Sequence, residues 1–114
     1  MWILNIDGPI VPYVRTTQRQ KWVDPRYKRY AAWKSSVRLL ATIARWPEEL
    51  DRKKDYEIAV KVYWKARARA DIDNCCKAAM DALFKQDRRI LQLTAESVEY
   101  TGEEHLRLEL DIRP

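Results

Sequence analysis

Asp71 and Asp73 stand one residue apart in the stretch Arg67-Ala68-Arg69-Ala70-Asp71-Ile72-Asp73-Asn74-Cys75-Cys76-Lys77. In extended backbone, residues i and i+2 point the same way, so both carboxylates can converge on one hard cation. Left alone, two acids that close repel each other and one pKa rises, so a cation between them is the less costly state. Mg²⁺ suits the pair because it takes oxygen ligands and keeps several waters that can become nucleophiles. Asn74 and Lys77 are three apart and Asp81 follows four later, so a helix beginning near Asp73 displays all three on one face. Lys77 then stands one turn beyond the carboxylates, placed to offset charge on a phosphate or to orient an attacking water. Asp87, after Lys85-Gln86, can fold back as a third acidic ligand. The same residues have an ordinary reading. Asp71 or Asp73 is a good helix N-cap, Asp81 a common (i, i+4) partner for Lys77, and Asp87 a solvated loop acid. The spacing permits a triad and does not require one.

These side chains need a scaffold, and the clearest is the segment before them. Tyr56, Ile58, Val60, Val62 and Trp64 alternate with Glu57, Ala59, Lys61 and Tyr63, the period of a strand. It delivers the backbone to Lys65 and the basic run ahead of the acids. A helix from about Asn74 to Phe84 buries Ala78, Ala79, Ala82 and Leu83, whose small size lets another element come close. Upstream, residues 2–6 read as a short strand broken by Gly8-Pro9. Val11 to Val23 reads as an extended basic loop in which Trp22 is a packing anchor. Asp24-Pro25 starts a helix, with an N-cap acid and proline in the first position. Tyr30, Trp33, Val37, Leu40, Ala41 and Ala44 carry it to about Arg45, ahead of Pro47. Downstream, Ile90 to Leu93 reads as a short turn or strand. Ala95–Tyr100 and His105–Ile112 read as a hairpin around residues 101–104, with Leu106, Leu108, Leu110 and Ile112 on its buried side. His105 falls on the exposed face, with a structural role. The fold class is α/β, a small mixed sheet with one face covered by two helices.

At 114 residues the chain is one domain, able to bury about two-thirds of its unfolded surface. Its 46% hydrophobic content, with five Trp, six Tyr and only two Gly, argues for a packed core. The net charge of +5 is unevenly spread, from +7 over residues 13–38 to −4 over residues 95–114. That asymmetry suits one face for a polyanion and another that is not. Adjacent Cys75 and Cys76, with one His in the chain, cannot complete a zinc site and are expected to be reduced thiols. No apolar run reaches membrane-spanning length, and Met1-Trp2-Ile3 lacks a signal peptide's basic start. A soluble, cytoplasmic protein is expected.

Asp71-Ile72-Asp73-Asn74 with Lys77, then Asp81-Ala82-Leu83, then an acid followed by Ile90, closely resembles the signature of the RusA family of Holliday junction resolvases. The resemblance reaches upstream to Gly8-Pro9-Ile10-Val11-Pro12 and Arg15, and covers most of the chain. It implies a RusA-like α/β fold, a small mixed sheet with two main helices packed on it, forming a homodimer without a small-molecule cofactor or membrane. It implies an endonuclease of DNA recombination and repair that cuts four-way junctions with Mg²⁺, or Mn²⁺ in its place. By that resemblance Asp71, Asp73 and Asp87 bind the metal, and Lys77 joins them in catalysis. Arg15, Arg19, Lys21, Arg67, Arg69 and Lys77 contact DNA, with Asn74 and Asp81 in support. The connection after Asp81-Ala82-Leu83 is Phe84-Lys85-Gln86 alone, shorter than is common in the family, and Gln86 replaces the first acid of a pair. Two other readings stay open, a metal-dependent nuclease for flaps or other branches and a junction-binding protein without catalysis.

Overall fold

The computed structural model describes residues 1–9, 11, 24–65 and 71–114, with the side chain of Lys65 left aside. Its elements in chain order are β1 (Trp2–Asp7), α1 (Pro25–Ile43), β2 (Tyr56–Lys65), α2 (Ile72–Leu83), β3 (Ile90–Tyr100) and β4 (His105–Ile112). They form a mixed α/β domain with one four-stranded sheet in the order β1-β4-β2-β3.

Local chemistry explains where the elements begin and end. Asp24 caps α1 by accepting from the Arg26 amide at 2.9 Å, and Pro25 opens the helix. Beyond the cap at Ala44, Arg45 takes φ 59°, and the Trp46 amide returns to the Ala41 carbonyl at 2.9 Å. The chain turns there with the left-handed residue expected after a helix, although it is not glycine. Trp46 lands on Phe84, ring centroids 5.9 Å apart, which ties the exit of α1 to the exit of α2.

The core lies between the helices and one face of the sheet. Leu4 and Ile6 of β1, Ile58, Val60, Val62 and Trp64 of β2, and Leu106, Leu108 and Leu110 of β4 line its floor. Val37 and Ala41 of α1 and Cys75, Cys76, Ala79, Ala82 and Leu83 of α2 close it from above. Both cysteines are free and buried. Burial pushes the Cys75 thiol up to about 11, with Cys76, Asp73 and Asp71 adding to the shift, so it stays protonated and is no nucleophile.

The hairpin expected from Ala95 to Ile112 does not form. β3 runs unbroken from Ile90 and pairs with β2 in parallel, while β4 sits between β1 and β2, antiparallel to both. The burial of the two strands gives the reason. β4 carries three fully buried leucines and needs a neighbour on each side, whereas most of β3 is exposed and fits only an edge. A strand, a twelve-residue helix and a second strand also form a parallel crossover unit. Ile112, expected inside, is 39% exposed where β4 runs out.

Candidate functional site

Both β2 and β1 point their C-terminal ends to the same edge of the domain, since each is antiparallel to β4. From that end β2 leads to Asp71, and α2 begins. Asp71 is the N-cap residue of α2, with extended backbone (φ −61°, ψ 132°), yet its side chain makes no capping hydrogen bond. Its position is that of a cap, and its carboxylate is not used to cap the helix. Asp73 follows in the first turn, and its Oδ2 lies 3.9 Å from Lys77 Nζ, with the two side chains 69% and 61% exposed. A pair so open to solvent contributes little to stability. Asn74 is half-buried beside them. The first-turn amides of α2 point out at the same place, a setting that favours anionic groups.

The donor set fits a hard divalent ion. Asp71 and Asp73 offer carboxylate oxygens, and Mg²⁺ is commonly held by one or two carboxylates with waters and substrate phosphate completing its shell. Lys77 lies one turn along, where it can meet a phosphate oxygen.

Asp87 is not in this cluster. The Asp87 carbonyl accepts from the Ile90 amide at 2.9 Å, and the Arg89 carbonyl accepts from the Tyr56 amide at 2.7 Å, so Asp87 stands beside the start of β2. Asp71 follows the end of that ten-residue strand, about 30 Å further at the rise of extended chain. The twelve residues of α2 also separate the two acids, about 18 Å along a helix axis. Within one chain, therefore, Asp87 does not fold back as a third ligand. The parallel crossover puts α2's exit at the opposite end of the sheet from its entrance. Among the described residues, no group of three His, Cys, Asp or Glu side chains is close enough to hold a metal ion. Its chain neighbours Gln86 and Arg88 instead line a cleft with Glu48, Glu49, Arg52 and Arg89.

Asp81 serves the contact between helices and is not paired with Lys77. Its Oδ2 accepts from Tyr30 Oη at 2.6 Å and lies 2.7 Å from Lys34 Nζ, while Arg38 Nε donates to the Ala82 carbonyl at 3.2 Å. Burial alone raises the Asp81 carboxyl, but the Lys34 and Tyr30 hydrogen bonds together hold it below the ordinary aspartate value of 3.8. The pKa is depressed on folding, so this contribution to stability is present above pH 3.8 and is lost as pH falls through the folded value. Tyr30→Phe is expected to lower stability by about 1 kcal/mol at neutral pH and to flatten the acid limb of a thermal-melt series.

Five of the proposed DNA contacts, Arg15, Arg19, Lys21, Arg67 and Arg69, lie outside the described residues, as does Trp22. The rings at the same end of the sheet were not legible as a group. Tyr63, Tyr100 and His105 come from three strands and meet only through the register of β2 with its two neighbours.

A small α/β domain carrying two open carboxylates and a lysine at a helix entrance has the groups needed to act on phosphate esters. The sequence model of the family Endodeoxyribonuclease RusA matches residues 8–113, nearly the whole chain, and the protein belongs to that family. It is a family of Holliday junction resolving endonucleases of DNA recombination and repair. No curated protein sequence matches the chain.

Proposed function

We propose that the chain resolves four-way DNA junctions as a homodimer, with Mg²⁺ held by Asp71 and Asp73 of one copy and Asp87 of the second. The observation that carries this reading is the Asp71–Asp73–Lys77 turn, open to solvent at the entrance of α2 in a chain of this family.

The second copy follows from what one copy leaves unfinished. β3 is eleven residues long, forms the sheet edge, and exposes Leu91 and Leu93 at 55% and 43%. A long, open edge with unpaired backbone groups is a template for another strand. Two β3 edges paired antiparallel about a twofold axis near Ala95 bring the start of one strand beside the end of the other. Asp87 of the second copy then arrives at the end of the sheet where Asp71 and Asp73 stand. The arrangement gives two symmetric sites, as a twofold-symmetric junction requires.

When bound, the ion supplies an activated water and charge stabilisation for the departing oxygen, and Mn²⁺ can take its place. Asp71 and Asp73 orient that centre. Lys77 donates to a phosphate oxygen as charge grows there. Arg15, Arg19, Lys21, Arg67 and Arg69 hold the flanking backbone. The protein has no helix long and apolar enough to cross a membrane among the described residues, and we place its action in the cytoplasm, with the DNA.

Cleavage of four-way junctions, flaps and plain duplex of matched sequence tests the substrate. Paired nicks across the four-way junction are expected, with junction affinity falling with salt at a log–log slope of about −5 for six phosphate contacts. Equal cutting of flaps would replace the junction with a broader branched substrate. Binding without nicking in either Mg²⁺ or Mn²⁺ would leave a non-catalytic binder.

A further inference from the structure

The face of the sheet away from the helices is polar over most of its area. Glu57, Lys61, Arg107, Glu109 and Asp111 lie on it, alternating with the buried residues of β2 and β4. At the end from which the Asp71 connection leaves, the composition changes to three aromatic rings. Tyr63 and His105 are direct cross-strand partners, with ring centroids 4.2 Å apart and planes inclined by 11°. Tyr100, at the end of β3, stands nearly perpendicular to both, at 5.5 Å and 73° from Tyr63 and 5.4 Å and 83° from His105. Tyr63 and His105 cover one face of each other, and Tyr100 stands upright beside that stack, so the three rings make an aromatic corner whose most open member is Tyr100.

We propose that this corner is a stacking site for an unpaired nucleobase of the branched DNA substrate. The inference rests on the reading above that the chain binds branched DNA, and adds a site on a face the acids do not occupy. Three features support it. The corner is open, since Tyr100 is 42% exposed, and among the described residues both helices pack on the other face of the sheet. It is held in shape, because a Cβ at Gly102 would lie 2.5 Å from Tyr100 Cε1 and 2.9 Å from Cζ, so glycine there lets the ring lie against the turn. It has a cation nearby, since Lys61 is two residues back on the same face and has no ion pair among the described residues.

Sheet stability alone gives a weaker account. One cross-strand pair satisfies Tyr63 and His105, and the exposed third ring at the strand end is not needed for that. A flat base has a π-face whatever its sequence, so aromatic stacking suits a site that must accept different bases at a branch point. A flap carries unpaired bases, and the branch point of an opened junction uncovers base faces that continuous duplex keeps stacked.

The test uses the full-length protein without divalent metal, so that binding is read apart from cleavage. Junction and duplex affinities are measured for the parent, Tyr100→Leu and Tyr100→Phe, with a thermal melt for each. Tyr100→Leu is expected to weaken four-way junction binding about tenfold with duplex affinity and melting temperature unchanged, and Tyr100→Phe to bind like the parent. Unchanged junction affinity in Tyr100→Leu overturns the stacking site, while cleavage by the parent in a separate assay with Mg²⁺ keeps the nuclease reading intact. Equal losses on junction and duplex, or a loss that follows a lower melting temperature, overturn it in favour of a structural role for the ring. A parent with no preference for junction over duplex overturns the branched-DNA reading and this site with it.

Discussion

Asp73→Asn is expected to bind four-way junctions like the parent and to lose Mg²⁺-dependent cleavage by about 10³-fold or more, the equivalent of several kcal/mol of charge stabilisation. The substitution keeps the shape of the side chain and removes one of two charged oxygens facing the proposed ion. Folding does not confound the result. Asp73 is exposed, and among the described residues its side chain meets only Lys77, at 3.9 Å between two open side chains, so the change in stability should stay within about 0.5 kcal/mol. DNA affinity should hold, or rise slightly in the absence of metal, because a negative charge leaves the neighbourhood of the phosphates. Gel-shift binding read beside a cleavage assay checks both halves. Parental cutting would remove Asp73 from the active site. Asp81→Asn is the useful contrast, since Asp81 faces Tyr30 and Lys34 on α1. Its cost should appear in the thermal melt.

The contrast between these two acids shows what the sequence could and could not convey. Local signals were readable because they act over a few residues. Asp24-Pro25 opened α1 and the alternation from Tyr56 to Trp64 marked β2, both close to where the structure has them. Partners distant in sequence were not readable. Asp81 is four residues from Lys77, yet its partners are about fifty residues upstream, and the helix-to-helix contact outranks the neighbour on its own helix. The same limit governed the end of the chain. Residues 90–112 carry two strands and a turn, and proximity in sequence favours pairing them. The exposed character of β3 against the buried leucines of β4 decides otherwise, but it becomes decisive only once β1 and β2 are known to need β4 between them. With β3 parallel to β2, the placement of Asp87 follows, and a triad plausible by spacing becomes impossible within one copy.

That impossibility allows a direct experiment on where the third acid comes from. Asp73→Asn and Asp87→Asn are each expected to be inactive as pure homodimers, because every site then lacks one carboxylate. When the two are mixed and allowed to exchange subunits, half of the dimers are mixed at equilibrium. If Asp87 acts across the dimer, one site of each mixed dimer joins Asp71 and Asp73 of the Asp87→Asn chain to Asp87 of the Asp73→Asn chain and is fully intact, while the other lacks two acids. Cleavage should therefore return to about a quarter of the parental number of sites. Its product should be a nicked junction, since resolution needs two cuts and each mixed dimer has one working site. If Asp87 acted within its own chain, both sites of every mixed dimer would still lack an acid and mixing would restore nothing. A charge at the β3 edge supplies the matching control. Ala95→Lys, at the exposed middle of β3, sets like charges against each other across the proposed twofold axis. It is expected to yield a folded monomer without cleavage, and a fully active Ala95→Lys protein would move the dimer contact off this strand.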